Sequence, residues 1–322
     1  MQAWNPADYK IINKVSVVVL AYNNYSCLKK CISSVARQKY DNIEIILADD
    51  CSKDIESHKI EETIRDIVKD RFGVICIFNP QNMGTVRNFN NAVERSTGDL
   101  IIPLAMDDVF ADENSVSYIV DYFNEKRVLV ATSYSCRICD SKMMIGPVRK
   151  EVDIYSDPEI TIQRLFKYGL FFKGANTYYH KQVFSVLGKF DESFILYEDV
   201  PFLYKYLKSG FSISIVPYIC VIYSVDCGVS SKKGGSQLLR NDRVKLFRNI
   251  LDSDGVDQIK RNIKYNLYRN MYPEKKLTAA LKYPDVIFDK LIFSFFNKNK
   301  FVPYHDEKEI RECIWSFNNR KK

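Results

Sequence analysis

Several features are missing from this 322-residue chain, and each absence removes a class of protein. The longest apolar runs, such as VVVLAY from Val17 to Tyr22, fall far short of the roughly 20 residues that cross a bilayer. The opening MQAWNPADYK lacks the basic-then-apolar order of a secretory signal, so the expectation is a protein made and kept in the cytosol. Cys136 and Cys139 form a single CxxC with no second pair and no closely spaced histidines, which leaves a structural zinc site short of ligands. The nine cysteines are odd in number, and some, such as Cys76 and Cys220, lie inside apolar segments, as reduced thiols do. His58, His180 and His305 are scattered without the spacing of a triad or a metal site. No Ser or Cys stands in a GxSxG setting. Finally, the turn AYNNYS after the first apolar run contains no glycine, which argues against the close pyrophosphate approach of dinucleotide-binding enzymes.

What is present is a well-supplied core, with 46% hydrophobic and 13% aromatic residues. Four apolar runs recur at regular intervals: VSVVVLAY (15–22), IEIILADD (43–50), VICIFN (74–79) and LIIPLAMDD (100–108). They are short, rich in Val and Ile, and continuous, as strands covered on both faces are. Between them Leu28, Ile32 and Val35, and then Ile60, Ile64 and Ile67, fall at i, i+4, i+7, with Asn24 and Asp54 as expected N-caps. Strand–helix–strand repeated three times predicts an α/β fold with a doubly wound parallel sheet. Further strands are expected in FFKGANTYYH and FSISIVPYICVIYSV, and helices over 157–168, 200–209 and beyond 236.

Ligands bind such sheets outside the carboxyl ends of the strands, so the residues there are informative. They are Ala21-Tyr22-Asn23, Asp49-Asp50, Asn79 to Asn82, and Asp107-Asp108. Acids after the second strand can hydrogen-bond a base or ribose. Acids after the fourth can hold Mg²⁺ or Mn²⁺, which stabilises charge on a departing diphosphate. Asp112 is the expected N-cap of a helix over 112–125.

The order of these motifs resembles the inverting glycosyltransferases of family 2, which have the GT-A fold. VSVVVLAYNNYSCLKKCISSV resembles the family's opening strand, turn and helix, with Ala21, Tyr22 and Asn23 at the donor-binding turn. IEIILADDCSKD resembles its Asp-Asp-Gly-Ser-x-Asp segment through Asp49, Asp50, Ser52 and Asp54. NMGTVRNFNNAVERSTGD resembles a later stretch through Asn82, Gly84, Arg87, Asn88, Ala92, Gly98 and Asp99. Leu104-Ala105-Met106-Asp107-Asp108 aligns with the family's DxD element, with Ala105 where the first aspartate often stands. The resemblance implies a metal ligand in Asp107, with Met106 and Asp108 beside the donor.

FDESFILYEDVPFLYKYLKSG resembles the family's base-bearing segment, and Asp199 of Glu198-Asp199 matches the catalytic base. The same acid could simply cap the helix that begins there. In YSVDCGVSS, Asp226 stands where the family often has a histidine, either a metal ligand or a loop acid in solvent. Arg87 reads either as a phosphate-neutralising group or as a solvated helix charge, and Gly174-Ala175-Asn176 either as shaping the acceptor side or as strand-edge packing. The resemblance, over roughly 14–235, implies a GT-A domain at 1–235 with a nucleotide-binding half (14–110) and an acceptor and base half (111–235). It implies metal-assisted transfer from a nucleotide-diphosphate sugar, expected to be a UDP-sugar, to a glycan or lipid-linked glycan. A nucleotidyltransferase of similar fold would need a Gly-rich basic loop after the first strand, which is absent; an inactive sugar-nucleotide or membrane-binding module is the other alternative.

Residues 236–322 are expected to form a mainly helical, basic extension. Residues 241–322 hold 18 Lys and Arg against 11 Asp and Glu, which accounts for the whole net charge of +7. VIFDKLIFSFFNKNKF (286–301) mixes aromatics with lysines, as a peripheral membrane helix at the inner face of the plasma membrane would; the alternative is a helix packed on the body. No nucleic acid is expected as a partner.

Overall fold

The computed structural model describes residues 4–147, 155–169, 174–224, 236–253, 257–296 and 301–320. Its first half alternates as the periodicity predicts: β1 (Val15–Ala21), α1 (Leu28–Ala36), β2 (Ile43–Asp49), α2 (Ser57–Val68), β3 (Gly73–Phe78), α3 (Thr85–Arg95) and β4 (Leu100–Ala105). Every residue of β2 is buried, and all of β1 but Leu20, which is why these strands read as continuous apolar runs. β1 pairs in parallel with β2 and β4, and β2 with β3, so the carboxyl ends of all four strands reach one edge.

The parallel character stops there. The chain continues through β5 (Val109–Phe110), α4 (Ser115–Lys126), β6 (Val130–Cys139), β7 (Lys142–Gly146), α5 (Pro158–Tyr168), β8 (Thr177–His180), α6 (Gln182–Leu187), α7 (Asp199–Lys208) and β9 (Ser214–Ser224). β8 joins the edge of β4 antiparallel, β6 lies antiparallel to β8, and the two-residue link after β6 returns directly as an antiparallel hairpin. β9 runs parallel to β6 and antiparallel to the short β5; a register shift at Pro217 and Tyr218 accommodates the proline, which has no N–H to donate.

The last segment is helical, with α8 (Gln237–Leu251), α9 (Lys260–Met271), α10 (Lys276–Lys282), α11 (Pro284–Phe296) and α12 (Glu307–Asn318), interrupted by β10 (Val302–Pro303), which extends the sheet beside β7. α12 packs on β9: the Asn318 amide accepts from the Ile219 N–H at 2.8 Å and donates to Asp112 at 2.9 Å. No helix among the described residues is long and apolar enough to cross a membrane.

Three helix starts differ from expectation. Asn24 precedes a 3₁₀ turn at Tyr25–Cys27 and caps it with no side-chain bond, its amide oxygen accepting instead from the Tyr22 N–H. Asp54 sits at φ +54° in the loop before α2, whose N-cap is Glu56. Asp112 takes the Asn114 N–H at 2.8 Å, and α4 begins one turn later with Asn114 as cap. At Asn24 and Asp112 a local side-chain bond competes with the helix for the same polar residue, whereas the left-handed backbone at Asp54 places it outside the helix. The fourth strand also ends at Ala105, because Met106 to Asp108 turn away.

Candidate functional site

The loops after β1, β2 and β3 are braced to one another at the carboxyl edge. Asn23, at φ +54°, donates its N–H to Ser52 Oγ at 2.8 Å and accepts from the Lys53 N–H at 2.9 Å. Asp49, buried at the last position of β2, accepts from the Ser52 N–H at 2.9 Å, from Ser52 Oγ and from the Tyr25 hydroxyl at 3.0 Å. Burial first and the Asp49 charge second push the Tyr25 hydroxyl well above its ordinary pKa, so it remains a donor. Ala21 accepts the Asp50 N–H through its carbonyl at 3.0 Å, while Tyr22 stands exposed on the rim.

Asp50 reaches across to the loop before α3. Its two oxygens take the N–H groups of Met83 at 2.7 Å and Gly84 at 2.9 Å, and its carbonyl accepts from Asn82 Nδ2 at 3.2 Å. The carboxylate thus satisfies donors just before the N-terminus of α3, where backbone N–H groups lack helical partners. Asp49 and Asp50 therefore brace the loops around the edge, and the residues they brace (Tyr22, Asn23, Asn82) form its exposed rim. Arg87, on the first turns of α3, lies 3.6 Å from Glu192 with both side chains largely in solvent.

At the end of β4, Met106 is fully buried and donates its N–H to the Leu20 carbonyl at 3.0 Å. Asp107 is half-buried, and burial raises its pKa while its own amide opposes the rise; no cation among the described residues contributes. Asp108 points inward and is fully buried. Beneath the pair lies the buried Cys31, whose thiol is pushed far up by burial and then by the charges of Asp108 and Asp107. A desolvated carboxylate with no cation beside it suits a hard divalent ion. No three His, Cys, Asp or Glu residues among those described gather into a metal site. An ion at Asp107 would take phosphate and water oxygens as further ligands, as Mg²⁺ and Mn²⁺ do. Asp226 lies outside the described residues.

Facing this edge is the segment 194–199. Gly84, at φ +83°, has Ile195 so close that a Cβ would lie 2.5 Å from its carbonyl oxygen, and the Ile195 carbonyl accepts the Val86 N–H at 3.1 Å. This contact brings the Glu198-Asp199 segment against the N-terminus of α3. Asp199 opens α7 with Glu198 before it as N-cap residue, and its carboxylate accepts the Val200 N–H at 2.7 Å. The position in the first turn is thus compatible with both helix stabilisation and proton transfer. Glu198 is driven towards its neutral form, by burial first and by the Asp199 charge second. A Cβ on Gly174 would meet its carboxylate at 2.9 Å, so glycine there admits Glu198.

One residue here was not anticipated. Asp242 of α8, 4% exposed, accepts the N–H groups of Ile195 at 2.9 Å and Leu196 at 2.7 Å through one oxygen. The signal was present in the sequence: Leu239, Asp242, Leu246 and Ile250 share one helical face, and an acid on an otherwise apolar stripe calls for buried donors. Asn79, Asn88 and Asn90 also join elements around this edge. Asn79 donates to Asn88, Asn88 to the Ala48 carbonyl, and Asn90 to the Phe190 carbonyl at 2.9 Å, tying α3 to the sheet and to the segment before Asp199.

The chain is similar to several known proteins. The WfaP protein of Escherichia coli, named as a UDP-Glc:alpha-D-GlcNAc-diphosphoundecaprenol beta-1,3-glucosyltransferase, is 27% identical over 244 residues, 75% of this chain and 87% of its own length. An uncharacterized glycosyltransferase of Rickettsia typhi is 27% identical over 197 residues, 60% of this chain and 58% of its own length, and one of Haemophilus influenzae is 30% identical over 146 residues, 45% and 44% respectively. Several of the curated relatives are thus matched over only about half their length. Among solved structures, Staphylococcus aureus TarS 1-349 in complex with UDP-GlcNAc superposes with a TM-score of 0.60 at 17% identity, over 86% of this chain and 80% of that one. The mannosyltransferase PcManGT of Pyrobaculum calidifontis, in complex with GDP-Man and Mn²⁺, gives 0.53 at 15% identity, over 92% and 79%. These likenesses establish the α/β fold with helices on both faces of the sheet as that of GT-A proteins. The sequence model of Glycosyl transferase family 2 matches residues 16–188, more than half of the chain, and the chain belongs to that family.

Proposed function

We propose that this protein is an inverting glycosyltransferase that moves a sugar from a nucleotide-diphosphate donor, a UDP-sugar, to a glycan or lipid-linked glycan. The observation that carries the reading is the contact of Ile195 with Gly84 and Val86, which joins the Glu198-Asp199 segment to the edge bearing Asp107. The similarity to WfaP, named for a UDP-Glc donor and a diphosphoundecaprenol acceptor, and to TarS in complex with UDP-GlcNAc supports the donor and acceptor classes.

In this reading the rim of Ala21, Tyr22, Asn23 and Asn82 receives the nucleoside, with Asp49 and Asp50 fixing the loops that form it. Asp107 would hold Mn²⁺ or Mg²⁺, with Met106 and Asp108 shaping the turn behind it, and Asp226 would be a further ligand. The ion, when bound, supplies positive charge against the leaving diphosphate. Arg87 is exposed near the same edge and is available to a phosphate once it leaves Glu192. Asp199 accepts the proton of the acceptor hydroxyl as that oxygen bonds to the anomeric carbon and the carbon–oxygen bond to the diphosphate breaks. One displacement inverts the configuration. Glu198, driven neutral, can donate a hydrogen bond to the acceptor or to Asp199 without competing for the proton.

The test pairs binding with turnover. UDP-sugars should raise the melting temperature of the wild-type chain, more so with Mn²⁺, and Asp199→Asn should keep that shift while losing about 100-fold or more of transfer. Full transfer by the Asn variant would remove Asp199 from the role. A chain that no nucleotide-sugar stabilises, with or without metal, would remove the donor class.

A further inference from the structure

Helices α10 and α11 turn apolar side chains outward. Leu277 and Leu281, 82% and 83% exposed, stand at i, i+4 on α10; Phe288, Leu291, Ile292 and Phe295 stand at i, i+3, i+4, i+7 on α11 and are 43–74% exposed. This stripe is not the docking face of a helix that failed to dock. The other side of α11 is already seated: Val286 is buried, Phe293 stacks on Tyr168 at 4.0 Å beneath the Arg164 guanidinium, and Asp289 accepts the Tyr168 hydroxyl at 2.8 Å. Single exposed apolar residues are ordinary on a protein surface, but a periodic run of them marks a surface that meets something apolar.

The charge around the stripe narrows what that is. Residues 260–300 contain 10 Lys and Arg and 3 Asp and Glu, an excess of 7 that equals the net charge of the entire chain. Two of the three acids are engaged within the protein, Asp285 with Arg261 and Asp289 with Tyr168. Lys275, Lys276 and Lys282 are exposed, with Lys275 4.8 Å from the Tyr272 ring and Lys282 5.1 Å from that of Tyr268. A long aliphatic stem lying along an aromatic ring, with its ammonium at the end, is an arrangement suited to an apolar–water boundary.

We propose that the outer face of α10 and α11 docks on an anionic lipid bilayer, its Phe, Leu and Ile side chains entering the acyl boundary and its lysines meeting headgroup phosphates. Each half of the surface excludes a rival. A nucleic acid would meet the lysines but leave Phe288 and Leu291 in water. A second copy of the chain would cover the apolar stripe but bring two strongly basic segments together. A bilayer with negative headgroups satisfies both halves. The surface lies outside the proposed active site and does not depend on it; under the glycosyl-transfer reading, docking would bring the enzyme to a lipid-linked acceptor.

Co-sedimentation of the full chain with unilamellar vesicles tests this directly, with phosphatidylcholine alone compared to a mixture containing phosphatidylglycerol. Binding should require phosphatidylglycerol and weaken at high salt, where headgroup charge is screened. The Phe288→Ser/Leu291→Ser variant should bind about tenfold or more weakly, since it removes apolar area from the contact, with an unchanged melting curve because these two side chains are largely in water. A Lys275→Glu/Lys276→Glu/Lys282→Glu variant should lose the preference for phosphatidylglycerol. Absence of co-sedimentation, or full binding by the serine variant, overturns the proposal. So does a dimer in equilibrium sedimentation that the serine variant abolishes, which would put a second copy on this face. Because the readout contains no sugar, the result stands apart from whether the chain transfers one.

Discussion

The two sides of the carboxyl edge are held in place by different means. On the proposed nucleotide side, loops that follow neighbouring strands brace each other: Asn23 with Ser52 and Lys53, and Asp50 with Met83 and Gly84. On the side of the proposed base, the segment 194–199 is held by α3 from far earlier in the chain and by Asp242 of α8, 46 and 47 residues later. The first side follows almost automatically from a parallel sheet, because neighbouring strands release their loops at the same edge. The second side requires a tail helix to be in place, so the basic C-terminal segment contributes to the architecture of the site.

Breaking the second side should have the larger consequence. Asp242→Ala leaves two partly buried N–H groups without their acceptor, at a cost of about 1 kcal/mol in stability. It should also lower kcat by about tenfold or more, since small displacements of a reacting group are expensive, with donor KM little changed. Asp242→Asn should recover most of kcat, because its amide oxygen can accept the same two bonds. Equal turnover in wild type and the Ala variant would mean that the segment is positioned without α8.

A control at the opposite edge sharpens the contrast. Glu44, second in β2, is buried, which by itself would raise its pKa; hydrogen bonds from Lys14, Ser16 and Thr97 outweigh this and hold it at about 2. A carboxylate with a lowered folded-state pKa stabilises above the unfolded value and loses that contribution as pH falls towards the folded one. Glu44→Gln should therefore cost about 2 kcal/mol at neutral pH, after allowance for partial solvation, and the difference from wild type should shrink between roughly pH 4.5 and 2. Transfer per folded molecule should not change. Parallel urea titrations at several pH values measure the first effect, and a turnover assay checks the second.

The smallest effect is expected from trimming the self-braced side. Tyr25→Phe removes one of the bonds to Asp49 and should cost about 1 kcal/mol, because Ser52 still holds the carboxylate. Donor KM should rise a few-fold with kcat nearly unchanged. A larger loss of kcat than that of Asp242→Ala would invert the comparison between the two sides.

Legibility in the sequence follows the same division. Asp49, Asp50, Asn82 and Asp107 could be assigned to one edge because continuous apolar runs and helical spacing leave few alternatives to a parallel sheet. Which way each acid points was not legible. Asp49 and Asp50 bind protein donors, and the identity of those donors depends on how three loops approach each other. The end of β4 at Ala105 and the displaced caps at Asn24 and Asp112 were missed because local polar bonds compete with regular structure over distances of two or three residues. Asp242 carried a readable sign, an acid on an apolar helical stripe, but nothing in its neighbourhood identified Ile195 and Leu196 as its partners.

The sequence by itself determined a parallel α/β sheet with carboxylates at its ligand edge, since the pattern of burial is written into the spacing of apolar residues. It also determined the chain's family and concentrated the positive charge in residues 241–322. Tertiary structure decided the antiparallel second half of the sheet, the inward bonds of Asp49 and Asp50, and the hold of α8 on the segment before Asp199. It also decided which face of α11 is seated and which is left in water. The reason is physical: spacing along the chain sets which residues must be buried, whereas the partner of a buried carboxylate or an aromatic ring is set by segments that meet only when the chain is folded.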